Sequence, residues 1–216
     1  MQAIWGIRTL GNLMTKMKNK QFDLSARFFR YIYDIRRYCM HNWYTFWYGI
    51  LSRMMGVTLG KRVAFNGPIT IDRFKYSRIV IGDGCVFNSH WLFNPRGISR
   101  CMLTTTTDSA RIIIGAHSGM SGVSIVARKE VCIGNNVNIG AGTRIGDSDD
   151  HPELLDTKIA PINIGNNVFI GMNSLILKGV SIGDNSVIGA GSVVTKSIPA
   201  NCIAAGVPCK VIRQID

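Results

Sequence analysis

The stretch VFIGMNSLILKGVSIGDNSVIGAGSVVTKSIP, from Val168 to Pro199, has an aliphatic residue at every sixth position. These positions are Ile170, Ile176, Ile182, Ile188 and Val194. An amphipathic helix would place apolar residues three and four apart, so a period of six argues against one. A fixed short period is typical of a solenoid, and a hexad repeat predicts a parallel β-helix with the aliphatic side chains stacked inside the coil.

The same period is present further upstream. Ile133, Ile139 and Ile145 lie six residues apart, and the pattern resumes at Ile164 after a break. Ile114 and Met120 continue it toward the N-terminus with a slip of one residue. Since a single coil cannot bury its apolar face, we expect the stacking of successive coils to create the core.

Asparagine and aspartate recur between the apolar positions, as in Asn135-Asn136, Asn166-Asn167 and Asp184-Asn185. Both residue types tolerate a left-handed backbone and form hydrogen bonds with their own main chain, so they suit tight corners. Three strands and three corners then make one triangular coil of roughly 18 residues.

Composition limits the class of protein. With 216 residues, of which 46% are apolar, the chain can form one core with a small appendage and does not resemble a disordered protein. None of the six cysteines lies in a C-x-x-C pair, which favours reduced thiols over a disulfide or zinc framework. The first 20 residues lack the continuous apolar segment of a secretory signal, so we expect a cytoplasmic protein.

The positive charge is concentrated near the N-terminus. Residues 1–62 contain eleven Lys and Arg residues and two acidic residues, which accounts for +9 of the net charge of +12. Within this region, residues 22–39 place Phe28, Ile32, Ile35 and Cys39 at helical spacing, which predicts an amphipathic helix. No nucleic-acid-binding motif accompanies the charge, so nucleic acid is not the expected partner.

Residues 38–52 contain six aromatic residues and no Asp, Glu, Lys or Arg. This segment is shorter than the roughly 20 residues needed to span a bilayer. Two interpretations remain open: a helix that caps the open end of the coil, or peripheral contact of residues 1–55 with a membrane surface, at the inner face of the cytoplasmic membrane.

The repeat stretch and AAGVPCKVIR, from Ala204 to Arg213, resemble the hexapeptide-repeat acyltransferases, specifically the sugar O-acetyltransferases of O-antigen and capsule synthesis. The resemblance covers roughly residues 60–213. It implies a mainly-β fold, a left-handed parallel β-helix that forms a homotrimer, although that hand breaks the usual crossover rule. Three regions follow: a basic aromatic helical segment (1–60), the β-helix acyltransferase domain (61–200) with an active-site loop (146–163), and a C-terminal tail (201–216).

The break in the repeat contains His151 within DSDDHP. Histidine has an unperturbed pKa near neutrality, so it can take a proton from a hydroxyl and later return one to a leaving thiolate. The family has its catalytic histidine in such a loop, and the motif resembles its D-S-D-x-H-P form. Asp149 is a candidate to orient the imidazole, with a solvated turn as the alternative, and Asp147 is a weaker candidate. The resemblance also suggests Asn88 near the acceptor, with a simple corner residue as the alternative.

The resemblance implies acetyl-CoA as the acyl donor, with its pantetheine arm along the late coils. The residues carried over to donor binding are Met172, Ala190, Thr195, Lys196, Lys210 and Arg213. Lys196, Lys210 and Arg213 could pair with phosphate oxygens, although Lys210 replaces a frequent arginine and cannot make the bidentate contact. We interpret His41, His90 and His117 as structural. We expect no metal, because a zinc hydratase of the γ-carbonic anhydrase type has two closely spaced histidines and a distant third, and neither His117 nor His151 has a close histidine partner.

The sequence therefore predicts an acetyl-CoA-dependent O-acetyltransferase acting on a saccharide hydroxyl in a ternary complex. A lipid-linked glycan is one acceptor of this class. Two alternatives remain: an acyltransferase for a small amine, serine or antibiotic, and a catalytically silent β-helix that serves as a scaffold.

Overall fold

The computed structural model describes residues 3–95, 99–149 and 159–215, with side chains from residue 24 onward. A single helix, α1 (Ala3–Met54), precedes the strands in these residues, and three sheets follow. Sheet A contains β1 (Thr58–Leu59), β4 (Arg78–Ile81), β7 (Arg111–Ile114), β10 (Glu130–Ile133), β13 (Ile162–Ile164) and β16 (Ser181–Ile182).

Sheet B contains β2 (Ala64–Asn66), β5 (Val86–Asn88), β8 (Gly119–Ser121), β11 (Asn138–Ile139), β14 (Phe169–Ile170), β17 (Val187–Ile188), β19 (Cys202–Ala205) and β20 (Lys210–Gln214). Sheet C contains β3 (Thr70–Arg73), β6 (Met102–Thr105), β9 (Ser124–Ala127), β12 (Arg144–Gly146), β15 (Leu175–Ile176) and β18 (Val193–Val194). The chain visits A, B and C in turn and then starts the next coil. All strand pairs are parallel except β19 with β20.

The hexad residues form stacked columns inside the coil. In sheet A, Ile133 lies between Ile114 and Ile164, and in sheet B, Ile170 lies between Ile139 and Ile188. All of these side chains are buried. The column in sheet C contains Ile71, Leu103, Ile125, Ile145, Ile176 and Val194. The predicted parallel β-helix is therefore confirmed.

The predicted corners also form. Asn136, Asn167, Asn185 and Asn201 all have a left-handed backbone, with φ of 56°, 55°, 57° and 56°. Their side chains make a ladder: Asn136 Nδ2 donates to Asn167 Oδ1 (3.2 Å), Asn167 Nδ2 to Asn185 Oδ1 (3.0 Å) and Asn185 Nδ2 to Asn201 Oδ1 (2.8 Å). Asparagine thus serves both the turn and the stacking of coils.

By its internal contacts the chain divides into two units, Met1–Met40 and His41–Asp216. In the first unit the predicted amphipathic helix lies within α1, which is longer than the pattern indicated. Aromatic and aliphatic side chains on its residues 24–40 are exposed, among them Phe28, Phe29 and Tyr38. No helix in the described part of the chain combines the length and the apolarity that a membrane span requires.

In the second unit, the end of α1 packs against the first coil. Tyr44 and Tyr48 contact the core, and the Tyr48 ring lies 6.3 Å from that of Phe65 in β2. The Phe65 amide donates to Thr45 Oγ1 (3.0 Å), so an otherwise free edge strand finds a partner. Residues 41–54 therefore cover β2, the outermost strand of sheet B.

Candidate active site

A groove of 590 Å³ runs along the outer face of sheet B. Outward-facing parts of β5, β8, β11, β14 and β17 form its floor, and residues 93–95, from the connection between β5 and β6, form one wall. Small residues such as Gly119, Gly140 and Gly189 lie next to the inward-pointing core residues on this floor. They have no side chain that could fill the groove. We call this space the sheet B groove.

Three of the residues predicted from the sequence line the sheet B groove: Asn88 at its early end, and Met172 and Ala190 in the later coils. Asn88 Oδ1 accepts a hydrogen bond from Asn66 Nδ2 (2.8 Å), and Asn88 Nδ2 donates to Ser121 Oγ (3.2 Å). The amide of Asn88 is thus held in one orientation and retains one N–H for a ligand.

The four other predicted donor-binding residues lie outside the groove lining. Thr195 and Lys196 are exposed directly after β18. Lys210 and Arg213 are exposed on β20, which pairs with β19 and so extends sheet B beyond the late end of the groove. These three cations lie near the coils at which the groove ends, although they do not form its walls.

His151 lies outside the described residues, so the structure does not place its imidazole. Asp149, two residues before it, is described and forms an ion pair with Lys178 Nζ. Lys178 follows β15 at the corner between sheets C and A, the corner at which the loop leaves the coil. Lys178 was missed in the sequence analysis, because its contact joins residues 29 positions apart and leaves no local pattern.

Asp147 is fully buried at the start of this loop. Its carboxylate accepts hydrogen bonds from the backbone N–H groups of Arg128, Lys129 and Glu130, each at 2.7 Å. The Asp147 carbonyl also accepts from Ala160 N–H (3.1 Å), where the loop returns to the coil. Asp147 therefore anchors both ends of the loop to the preceding coil.

We expect Asp147→Ala to lower the free energy of unfolding by about 3 kcal/mol, because three backbone N–H groups lose the buried carboxylate that accepts their hydrogen bonds. Asp147→Asn should cost less, since its remaining carbonyl oxygen still accepts hydrogen bonds. Urea unfolding measures both values. Asp108→Ala is the matched control, because Asp108 is exposed. Equal stability of Asp147→Ala and the control would contradict the anchoring role.

The other histidines have structural surroundings. His41 Nδ1 lies 2.7 Å from Asn66 Oδ1, and the His90 ring lies 6.2 Å from that of Tyr44. His117 occupies a corner with φ of 58°. Among the described residues there is no group of three or more His, Cys, Asp or Glu that could hold a metal ion.

The six cysteines are free thiols in the structure. Burial raises the pKa of the Cys85, Cys101, Cys132 and Cys209 thiols above its ordinary value. Since the thiolate is the nucleophilic form, these four groups are poorly suited to form an acyl-enzyme at neutral pH.

Comparison with known proteins places this geometry in context. A sequence model described as the hexapeptide repeat of succinyl-transferase matches residues 161–196. The chain is 50% identical over 99 residues to galactoside O-acetyltransferase of Escherichia coli, covering 44% of this chain and 49% of that protein. It is 51% identical over 90 residues to protein CapG of Staphylococcus aureus, covering 39% and 52%. The chain thus spans about half the length of these curated relatives.

A crystal structure with a similar fold is a mutant of AntD, an N-acyltransferase from Bacillus cereus, in complex with dTDP-4-amino-4,6-dideoxyglucose and coenzyme A. Its TM-score is 0.58 at 18% identity, covering 76% of this chain and 87% of that chain. At this identity the likeness concerns the fold alone. It agrees with the predicted left-handed β-helix.

Proposed function

We propose that this chain, a member of the hexapeptide-repeat acyltransferases, transfers an acetyl group from acetyl-CoA to a saccharide hydroxyl. The observation that carries the proposal is the sheet B groove. Asn88 is far in the sequence from Met172 and Ala190, which lie one coil apart. The motifs assigned Asn88 to the acceptor and the other two to the donor, and all three line this one groove.

The sheet B groove suits the pantetheine arm of acetyl-CoA. Its late end is lined by the main chain of Gly171, Gly189 and Ala190, where a narrow chain can approach closely. Met172 adds an apolar contact there. Lys210 and Arg213 on β20, with Thr195 and Lys196 after β18, would then bind the phosphates beyond that end of the groove.

In the proposed reaction His151 accepts the proton of the acceptor hydroxyl as the oxygen attacks the thioester carbonyl. The carbon–sulfur bond then breaks, and the coenzyme A thiolate receives the proton from the imidazolium. The free N–H of Asn88, or backbone N–H groups, would stabilise the oxyanion. Asp149 is held by Lys178 in the structure, so orienting His151 would require it to serve both partners.

We also propose a homotrimer. The loop with Asp149 leaves the coil at the corner between sheets C and A, whereas the groove lies on sheet B, the opposite side of the same coil. A loop donated by a neighbouring protomer would bring His151 to the groove. Light scattering of the purified protein tests this assembly.

The names of two relatives favour a saccharide acceptor in cell-surface polysaccharide synthesis: galactoside O-acetyltransferase and CapG. The experiment is an acetyl-transfer assay with acetyl-CoA and a panel of galactosides, capsule fragments, serine and simple amines. Calorimetry with coenzyme A accompanies it. Transfer only to an amine or serine would replace the acceptor class. Absence of coenzyme A binding would favour the silent scaffold.

An exposed apolar face near the end of α1 supports the proposed membrane contact. Five residues share one side of the helix by their spacing: Trp43, Phe46, Trp47, Ile50 and Met54. Their exposure ranges from 40% at Ile50 to 80% at Met54. Tyr44 and Tyr48 lie on a different side of the helix and pack against the core. We call these five residues the aromatic stripe. Aromatic rings beside basic residues suit the interface of an anionic membrane, here the inner face of the cytoplasmic membrane.

We expect the double variant Trp43→Ser, Trp47→Ser to bind vesicles containing phosphatidylglycerol about 10-fold more weakly than the natural chain, because two exposed rings no longer leave water. Cosedimentation measures the bound fraction. Tyr76→Ser is the control, since Tyr76 is an aromatic residue with 76% exposure elsewhere on the surface. Failure of the natural chain to sediment with these vesicles would remove the membrane proposal.

A further inference from the structure

One buried side chain of the sheet B groove has an unused hydrogen-bond donor. Asn94 is 4% exposed and lines the groove. Its Nδ2 has no hydrogen-bond partner among the residues that the structure describes. The main-chain amide of Asn94, in contrast, donates to the His90 carbonyl (2.9 Å). A buried amide without a partner costs stability, and native proteins rarely retain one without a reason.

Among the described residues, Asn94 Nδ2 lacks a partner although other asparagine side chains of the same coils have one. The neighbouring amides of Asn66 and Asn88 are paired, at 2.8 Å from each other. The turn that carries Asn94 is also fixed, because His90 N–H donates to the Asn66 carbonyl (3.0 Å). Asn94 therefore lies in an ordered turn on the wall of the sheet B groove, which Asn88 also lines.

We propose that Asn94 Nδ2 donates a hydrogen bond to an oxygen of the bound acceptor, a hydroxyl or ring oxygen of a saccharide. This inference rests on the proposed function. It adds the residue that fixes the acceptor at the end of the groove away from Met172 and Ala190. A donor that is desolvated in the free protein gains a partner only when ligand is bound, so the contact contributes to selectivity for polar acceptors.

The chemistry of the surrounding wall fits this ligand. Phe93 lines the groove directly beside Asn94 and offers an apolar ring to the C–H face of a sugar. Ser121 and Asn88 add a hydroxyl and an amide N–H on the floor. A mainly apolar groove with a few fixed polar groups is typical of small-molecule sites.

The test compares two substitutions of similar size, Asn94→Leu and Asn94→Asp. Asn94→Leu removes the unpaired amide, so the Tm should rise by about 2–4 °C. Asn94→Asp buries a charge without a partner, so the Tm should fall. Both remove the donor, and both should lower kcat/KM for the saccharide about 5- to 100-fold. The Kd of coenzyme A, measured by calorimetry, should stay unchanged.

Opposite changes in Tm with the same loss of kcat/KM separate recognition of the acceptor from a merely structural role. Asn163→Leu is the control, since Asn163 is exposed on sheet A, and it should change neither quantity. If the natural chain acetylates a saccharide and both Asn94 variants match its kcat/KM, this inference alone is overturned. If the natural chain acetylates no saccharide, the proposed function is overturned as well.

Discussion

Replacing His151 with alanine is expected to lower kcat for acetyl transfer by about 10²–10⁴-fold, the contribution of a positioned general base. An alcohol is a weak nucleophile until its proton is removed, and imidazole is the side chain whose pKa suits that step at neutral pH. No histidine is among the described residues that line the sheet B groove, so none of them can substitute. Release of the coenzyme A thiol in the presence of a saccharide measures kcat.

The control for this substitution is His117→Asn. His117 occupies a left-handed corner in which the later coils have asparagine, at Asn136 and Asn167, so the variant should fold and retain full activity. The Kd of coenzyme A should be the same for both variants, because neither residue was assigned to donor binding. An unchanged kcat in His151→Ala would exclude this residue as the base. Weaker coenzyme A binding would instead indicate that the loop shapes the groove.

The core of the coil could be predicted from the sequence because its period is a direct consequence of the geometry. Each inward position recurs after one strand and one corner, so the spacing of Ile133, Ile139 and Ile145 assigns one residue to each of the three faces of a coil. The corners were predictable for a similar reason, since asparagine is one of few residues that accept the left-handed backbone at Asn136 and Asn167.

The candidate site was predictable only where it follows the coil. Asn88, Met172 and Ala190 lie at repeat positions, and their motifs led to the sheet B groove. Lys178 and Asn94 were missed because their roles depend on the two long connections, β5 to β6 and β12 to β13. Asn94 lies in the first, and Lys178 contacts Asp149 in the second. Those connections have no period, so their contacts depend on tertiary packing.

The end of α1 was ambiguous in the sequence for a different reason. Residues 38–52 have no Asp, Glu, Lys or Arg, so no charged face in the sequence shows which side packs and which remains exposed. In the structure Tyr44 and Tyr48 pack against the core, with the Tyr48 ring beside that of Phe65 on β2 and the Tyr44 ring beside that of His90. The aromatic stripe remains on the surface, so the two interpretations of this segment are compatible with each other.

The largest loss of stability is expected from Gly134→Ala, at a glycine of the hexad. Gly134 follows β10 at a corner, and a Cβ there would lie 2.6 Å from the carbonyl oxygen of Gly165 in the next coil and 2.7 Å from its carbon. Both atoms belong to the main chain, so no side chain can turn aside. Overpacking of this kind costs about 3 kcal/mol or more, which corresponds to a Tm lower by about 6–12 °C. Thermal unfolding followed by circular dichroism measures it.

The reason for this sensitivity is the hydrogen bonding between coils. Gly134 N–H donates to the Ile164 carbonyl (2.8 Å), and Gly165 N–H donates to the Ile182 carbonyl (2.8 Å), so a displaced corner strains the ladder on both sides. Gly146→Ala is the matched control, because a Cβ at Gly146 would meet only the Ser148 carbonyl oxygen, at 3.9 Å. This control should leave the Tm within about 1–2 °C of the natural value. If both variants unfold at the same temperature, the close approach of the next coil is not the reason that this corner has a glycine.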